Sequence, residues 1–215
     1  MFWLLLALLL AYLIGSLSGS LLLGRAVGVD IRKRGSGNAG GTNAFRTLGW
    51  KFALGVVVID VGKGALAGWM GLVLHDPGAP IGAFAQGLAC VLAAALGHTW
   101  PVFFGFRGGK GAATLVGGAV ALWPVTVGPL LAVWLSILIA TGYVGLATVC
   151  AGLALIGVAL WQGATALSDP RLAFALAAAG FLLYTHRENL RRLRAGTEHR
   201  FERARFWKRW FGSRA

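Results

Sequence analysis

The first 23 residues, MFWLLLALLLAYLIGSLSGSLLL (1–23), contain no charged side chain. About 20 consecutive apolar residues are enough for a helix to cross a hydrocarbon core about 30 Å thick. The first basic residue, Arg25, follows this run, whereas a cleaved secretory signal carries its positive charge before the apolar core. The stretch therefore predicts a retained transmembrane helix with its N-terminus outside.

The composition of the whole chain agrees with this interpretation. Of 215 residues, 57% are hydrophobic and 13% are charged, which is typical of a multi-pass membrane protein. The formal net charge of +13 would also suit a nucleic-acid binder, but the basic residues fall between or after apolar runs, as in cytoplasmic loops. Cys90 and Cys150 lie in apolar stretches without paired spacing. We expect one membrane domain over residues 1–215, no nucleic-acid partner, no metal site and no cofactor.

The distribution of charge predicts the topology. Residues 24–51 contain six Lys or Arg against one Asp, and residues 187–215 contain ten against three Glu. Both segments are cytoplasmic by the positive-inside rule. The turn at 75–80 has no Lys or Arg and is expected outside. The basic segment 187–215 therefore places the C-terminus in the cytoplasm.

The remaining apolar runs predict an all-α integral membrane protein with about seven transmembrane helices. Runs at about 52–74 and 81–97 are followed by a long apolar stretch over 112–186 with three interruptions. Five spans with a re-entrant segment are the alternative, because 112–123 is too short to cross unaided.

A glycine-rich cluster, GSGNAGGTN (35–43), lies in the first of three expected cytoplasmic motif loops, at about 24–51, 98–112 and 186–200. Successive glycines let backbone N–H groups converge on an oxyanion, and Ser36, Thr42 and Asn43 add neutral donors. Arg46 adds a guanidinium for a bidentate contact. The alternative is a flexible loop in which Gly and Asn only make turns.

The second motif loop contains Gly108-Gly109-Lys110-Gly111, which leads directly into an apolar helix. Backbone donors at a helix N-terminus, together with a lysine, favour an anion site. The spacing excludes a Walker A loop, because Phe104 stands where that motif needs glycine and Gly111 where it needs Ser or Thr. The alternative is a charge that only sets the topology.

Two further sets of polar residues follow from helical spacing. His186 and Asn189, three apart, share one helix face, where His186 could bind phosphate or act as an acid or base. Asp60 and Lys63 lie within a predicted span at i, i+3 spacing, which predicts a structural ion pair. From Glu198 onward, cations alternate with aromatic residues, and we expect an amphipathic tail over 199–215 on anionic lipid.

In order along the chain, these blocks resemble the bacterial acyl-phosphate:glycerol-3-phosphate acyltransferases, the PlsY family. The matching text is residues 35–43 with Arg46, Asp60-x-x-Lys63-Gly64, GHTWPVFFGFRGGKG (97–111) and HRENLRRLRAGTE (186–198). The resemblance implies an enzyme of the bacterial inner membrane that catalyses the first step of phospholipid synthesis. It would transfer a fatty acyl group from a long-chain acyl phosphate to the 1-hydroxyl of glycerol 3-phosphate, giving lysophosphatidic acid and phosphate.

The resemblance also implies that the active site faces the cytoplasm. It further implies a functional link to an enzyme that forms the acyl phosphate. The candidate catalytic residues are Lys110, His186 and Arg46, and the candidate substrate-binding residues are Ser36, Asn38, Thr42, Asn43, Arg46, Gly108, Gly109, Lys110, Gly111, Thr148, His186 and Asn189. The chain departs from the family where a basic residue, Tyr and two serines three apart are expected, since it has Gly142, Tyr143, Gly145 and Thr148 there. A transporter or receptor of phosphorylated metabolites is the alternative function, because it could use the same glycines and cations.

Overall fold

The structure, a computed structural model, describes residues 1–204. All the regular secondary structure assigned within these residues is helical. The chain divides into two compact units, Met1–Pro124 and Val125–Ala215. Most of the amphipathic tail predicted over 199–215 lies outside the described residues and stays a prediction.

Five helices build the first unit around one central member. The central helix α3 contacts each of the others. The helices are α1 (Phe2–Gly15), α2 (Gly19–Ala26), α3 (Gly41–Val73), α4 (Ala83–Thr99) and α5 (Ala112–Leu122). The first glycine-rich cluster (35–43) therefore leads into α3 and contributes its first three residues, and the Gly108–Gly111 turn lies immediately before α5.

Glycines let α5 approach α3 closely. A Cβ added to Gly64 of α3 would overlap the carbonyl of Thr114, and one added to Gly117 of α5 would overlap the carbonyl of Val61. Small residues at a membrane helix interface allow backbones to meet in this way. The contact fixes the beginning of α5, and hence the turn that precedes it, against the middle of α3.

The long helix α3 is interrupted at Gly49, which has φ 84° and ψ 179°. This backbone conformation is essentially restricted to glycine. The apolar span predicted from about residue 52 corresponds to the part of α3 after this interruption. The part before it carries Arg46 and begins at the glycine-rich cluster.

The uninterrupted helix that the first apolar run predicts is replaced by two helices. The chain leaves helical geometry between α1 and α2, whose axes are bent by 44°. At the break, the N–H of Gly19 donates to Asp60 Oδ1 at 3.0 Å, and Lys63 Nζ donates to the carbonyl of Leu17 at 3.2 Å. Side chains of α3 therefore bind backbone groups beside the break between α1 and α2.

The second unit contains α6 (Val127–Thr141), α7 (Val144–Trp161), α8 (Pro170–Thr185) and α9 (Arg187–Arg194). Gly142, at φ 79°, ends α6 and permits the tight turn into α7. Asp169 caps α8 by accepting from the N–H of Arg171 at 2.8 Å, with Pro170 in the first helical turn. The α7 helix contacts the other three.

Four described helices are long and apolar enough to cross a membrane, and a fifth span is formed if α1 and α2 are counted together. Two shorter apolar helices, α5 and α8, complete a set of seven apolar segments at the predicted places. Length and composition alone do not decide how many of these seven segments cross the membrane. The count of seven and the positions of the termini therefore stay predictions.

Candidate active site

The loop before α3 is organised by the side chain of Asn43, which is 1% exposed. Its Nδ2 donates to the carbonyls of Ile31, Arg34 and Asn38 at 3.3, 3.0 and 3.0 Å. Its Oδ1 accepts from the N–H of Ser36 at 3.0 Å. One buried amide thus ties together a loop that has almost no regular structure.

This arrangement separates the predicted ligands of the first cluster into two kinds. Asn43 lies beneath the loop with its amide groups used by the loop backbone. Ser36, Thr42 and Arg46 are exposed, and Asn38 is half-buried. The exposed side chains are therefore the members of this cluster that can reach a ligand, and Asn43 sets their positions.

Arg32 connects this loop to the one that carries the Gly108–Gly111 turn. Its guanidinium forms an ion pair with Asp30 at 2.9 Å and donates to the carbonyls of Phe104 and Arg107 at 2.9 and 3.2 Å. The hydrogen bonds from Arg32 hold the pKa of the Asp30 carboxyl below its usual range. This link joins positions 75 residues apart, and sequence reasoning missed it.

The Gly108–Gly111 turn is fixed by its own backbone. The N–H groups of Gly108 and Gly109 donate to the carbonyls of Thr99 and His98, both at 3.1 Å. Those two amides are therefore already bonded within the chain. Gly111 adopts φ 77° as the N-cap of α5, and the first amides of a helix have no partner within it. The half-buried Lys110 stands directly before this helix end.

The two clusters of the first unit lie against each other. A Cβ added to Gly109 would lie 2.7 Å from the carbonyl oxygen of Ala39. Beneath them, Asp60 Oδ1 and Lys63 Nζ form an ion pair at 2.8 Å, with exposed fractions of 1% and 6%. The first unit therefore combines a glycine-rich loop, a cationic glycine turn and a buried ion pair.

In the second unit, His186 follows α8 and is buried. Its Nδ1 lies 3.0 Å from the carbonyl of Leu182 and 3.3 Å from Thr185 Oγ1. A carbonyl can only accept, so Nδ1 carries the proton and Nε2 is the acceptor nitrogen of the neutral ring. This tautomer suits either a base or a ligand that accepts a hydrogen bond.

Asn189 on α9 is held by a carboxylate that the list of candidate ligands omitted. Glu198 accepts a hydrogen bond from Asn189 Nδ2 through Oε1 and one from Arg192 Nε, at 2.7 Å, through Oε2. A Cβ added to Gly145 would lie 2.9 Å from the side chain of Asn189. Glycine at 145, where the resemblance leads us to expect serine, thus gives Asn189 its place against α7.

The other departures from the family pattern also have local contacts. Thr148 Oγ1 donates to the carbonyl of Val144 at 2.9 Å and accepts from Trp134 Nε1 at 3.2 Å. Arg200 lies over the ring of Tyr143 and donates to its hydroxyl at 2.6 Å. A cation therefore adjoins Tyr143 although position 142 is glycine.

Comparison with known proteins identifies the family. A family model described as glycerol-3-phosphate acyltransferase matches residues 5–196. The chain belongs to the glycerol-3-phosphate acyltransferase family. A glycerol-3-phosphate acyltransferase of Chlorobaculum parvum is 38% identical over 216 residues, covering 88% of this chain and 93% of the relative. One of Thermus thermophilus is 42% identical over 204 residues, covering 90% and 92%.

Two crystal structures of PlsY, an integral membrane glycerol 3-phosphate acyltransferase, have the same fold as this acyltransferase. The glycerol 3-phosphate form matches with a TM-score of 0.83 and 34% identity over 92% of this chain and 95% of that one. The lysophosphatidic acid form matches with 0.82 and 33%, over 94% and 98%. The resemblance drawn from the sequence is confirmed, and the chain is a multi-pass membrane protein. The family favours an acyltransferase over the transporter or receptor alternative.

The buried amide of Asn43 gives a prediction for the acyltransferase. Asn43→Asp keeps the shape of the side chain but sets an oxygen against three carbonyl oxygens. We expect amide hydrogen exchange across residues 34–43 to become at least about tenfold faster, because each buried group left unsatisfied costs about 1–3 kcal/mol. Gln86→Glu makes the same change at the Gly71 carbonyl in the α3–α4 interface and should leave exchange in the loop unchanged. Equal exchange in wild type and Asn43→Asp would contradict the assignment.

Proposed function

We propose that this acyltransferase moves a fatty acyl group from acyl phosphate to the 1-hydroxyl of glycerol 3-phosphate, giving lysophosphatidic acid and phosphate. The observation that carries the proposal is the Gly108–Gly111 turn. Its first two backbone amides are hydrogen-bonded to the end of α4, and Lys110 stands directly before the beginning of α5. A fixed cation beside a helix N-terminus suits the phosphate of an acyl donor. The solved relatives in glycerol 3-phosphate and lysophosphatidic acid forms support this acceptor and this product.

Acyl phosphate suits such a site because it is already activated. It is a mixed anhydride, so the glycerol 3-phosphate hydroxyl can attack the acyl carbon directly while the bond from that carbon to the phosphate oxygen breaks. The protein then needs mainly to hold two anionic substrates in the right orientation, which can remove several kcal/mol of the barrier. Lys110 and Arg46 neutralise phosphate charge as it redistributes during the transfer.

The candidate ligands have different roles in this proposal. Lys110, Gly111 and the N-terminus of α5 bind the acyl phosphate, and the exposed Ser36, Thr42 and Arg46 bind phosphate oxygens. The remaining candidates of the first unit are Asn38, Asn43, Gly108 and Gly109. Those of the second unit are Thr148, His186 and Asn189, and in this proposal His186 and Asn189 bind substrate. Asn43, Gly108 and Gly109 fix the backbone rather than touch substrate, because their polar groups already bind the chain.

For the proton of the attacking hydroxyl, we propose that the phosphate of the acyl donor accepts it and leaves as hydrogen phosphate. His186 then binds substrate and is not the base. A general-base histidine is usually oriented through Nδ1 by a carboxylate. Here the partners of Nδ1 are a carbonyl and a hydroxyl.

The proposal includes the cellular setting. The enzyme lies in the bacterial inner membrane, with the N-terminus outside, the C-terminus and active site in the cytoplasm, and about seven spans. Membrane lipid surrounds it and receives the product. Because acyl phosphate is reactive, an enzyme that forms it must supply it, and this is the partner that the chemistry requires.

The donor can be tested directly with purified protein. We expect labelled glycerol 3-phosphate and palmitoyl phosphate to give lysophosphatidic acid, and palmitoyl coenzyme A to give none. Product from the coenzyme A ester alone would defeat the proposed donor and leave the family assignment intact. Uptake of glycerol 3-phosphate into vesicles without any acylation would defeat the enzyme function.

Lys110 should be indispensable for the transfer. Lys110→Met keeps most of the side-chain length and removes the cation, so we expect kcat/KM for acyl phosphate to fall by about a hundredfold or more. Lys51→Met removes an exposed lysine that lies near Trp50, and it should retain wild-type kinetics. Both variants should elute from a sizing column like wild type. Near-normal activity of Lys110→Met would reduce the turn to a topology signal.

His186→Gln separates the two possible proton acceptors. If His186 only binds, we expect a loss below about a hundredfold and an unchanged pH dependence of kcat, since a general base contributes about a hundred- to ten-thousandfold. The measurement is kcat between pH 5 and 9 for both proteins. Disappearance of an acidic limb in the variant would assign the proton transfer to His186.

A further inference from the structure

His98, at the end of α4, joins the Asp60–Lys63 ion pair as a third buried ionisable side chain. Its exposed fraction is 3%. Lys63 Nζ lies 2.8 Å from His98 Nδ1, 2.8 Å from Asp60 Oδ1 and 3.2 Å from the carbonyl of Leu17. An ammonium group has three N–H bonds, and these three acceptors use all of them. The ammonium group of Lys63 therefore has an acceptor for each of its N–H bonds.

This count fixes the tautomer of His98. Asp60 Oδ1 also lies near Nδ1, but at 3.3 Å, which is longer than the contact with Lys63. A protonated Nδ1 would point its hydrogen at an ammonium group. The nitrogen Nδ1 is therefore the acceptor, and the neutral ring carries its proton on Nε2. The ion pair thus sets both the position and the orientation of the imidazole.

The opposite edge of the ring supports the glycine turn. A Cβ added to Gly109 would overlap His98 Nε2, and the N–H of Gly109 donates to the carbonyl of His98 at 3.1 Å. A Cβ added to Gly108 would overlap the same carbonyl and the ring of Pro101. His98 therefore contacts the turn through its backbone and through its ring. The turn can lie this close only because both positions are glycine.

We propose that Asp60, Lys63 and His98 act as positioning residues for acyl transfer. The ion pair holds the imidazole, the imidazole holds Gly109, and Gly109 sets the place of Lys110 beside the acyl donor. None of the three touches substrate. The inference rests on the proposed function in one respect, namely that the Gly108–Gly111 turn binds the phosphate of the donor.

A purely structural role is the competing interpretation, because the same cluster binds backbone groups at the break between α1 and α2. His98→Asn separates the two roles. The Asn Oδ1 stands where Nδ1 stood and can still accept from Lys63, so the contacts with Leu17 and Gly19 are kept. The ring edge that faces Gly109 is lost. His75→Asn is the matched control, since His75 also binds through its ring, to the carbonyl of Ile81 at 3.0 Å.

The kinetic readout is the split between the two substrates. For His98→Asn we expect kcat/KM for palmitoyl phosphate to fall about tenfold to a hundredfold, as for a misplacement of about 1 Å. We expect the KM for glycerol 3-phosphate to stay within about twofold and the melting temperature in detergent to stay near wild type. The control should match wild type in all three. Wild-type kinetics in His98→Asn, or equal losses for both substrates with a lower melting temperature, would overturn the proposal.

Amide hydrogen exchange of peptides covering residues 108–111 tests the inference without any substrate. In His98→Asn the turn should exchange about tenfold faster, while α3 and α4 exchange as in wild type. This result would stand even if wild type used another acyl donor, whereas the donor assay would then fail. Unchanged exchange in the turn would overturn the positioning role.

If His98→Asn does not fold, the double variant Asp60→Asn with Lys63→Met removes the ion pair without leaving one buried charge unpaired. The imidazole then loses the donor that holds it. We expect the same selective loss for the acyl donor and the same faster exchange at the turn. Wild-type kinetics and exchange in the double variant would overturn the proposal.

Discussion

An ammonium group and a carboxylate, Lys63 and Asp60, lie 2.8 Å apart inside an apolar helix. A lone charge at such a position is costly, so each group needs the other and further polar partners. They find these in backbone groups beside the break that follows α1 and in the imidazole of His98. The same ion pair therefore allows the first apolar run to break and holds the residue beneath the glycine turn.

A second buried polar group, the amide of Asn43, serves the neighbouring loop in the same way. It meets three carbonyls and one N–H within a few residues, where no helix or strand could satisfy them. Ser36 and Lys110 are thus carried on irregular backbone that buried side chains hold in place, whereas Thr42 and Arg46 lie in the first turns of α3. Precise anion binding by a loop requires such support, because glycine-rich backbone loses much conformational entropy on ordering.

Hydropathy predicted the helices well because a membrane demands continuous apolar length and internally bonded backbone. The glycine turn and its lysine were also visible, since their chemistry is local in sequence. His98 was missed as a member of the buried cluster because its partner Lys63 lies 35 residues away. The hydrogen bonds from Asn43 to the loop backbone were not predicted, because composition does not tell an amide that binds a ligand from one that binds the loop. Two charges inside an apolar span were the available signal that a third polar partner was needed.

The residues after α9 fold back toward the beginning of α7. The N–H of Phe201 donates to the carbonyl of Gly142 at 2.7 Å, Arg200 covers Tyr143, and Glu198 binds both Asn189 and Arg192. The folded part of the second unit therefore extends beyond α8 and α9 and includes residues 198–201. A truncation or fusion before residue 198 removes the carboxylate that orients α9, and one before residue 201 removes the hydrogen bond from Phe201 to the beginning of α7.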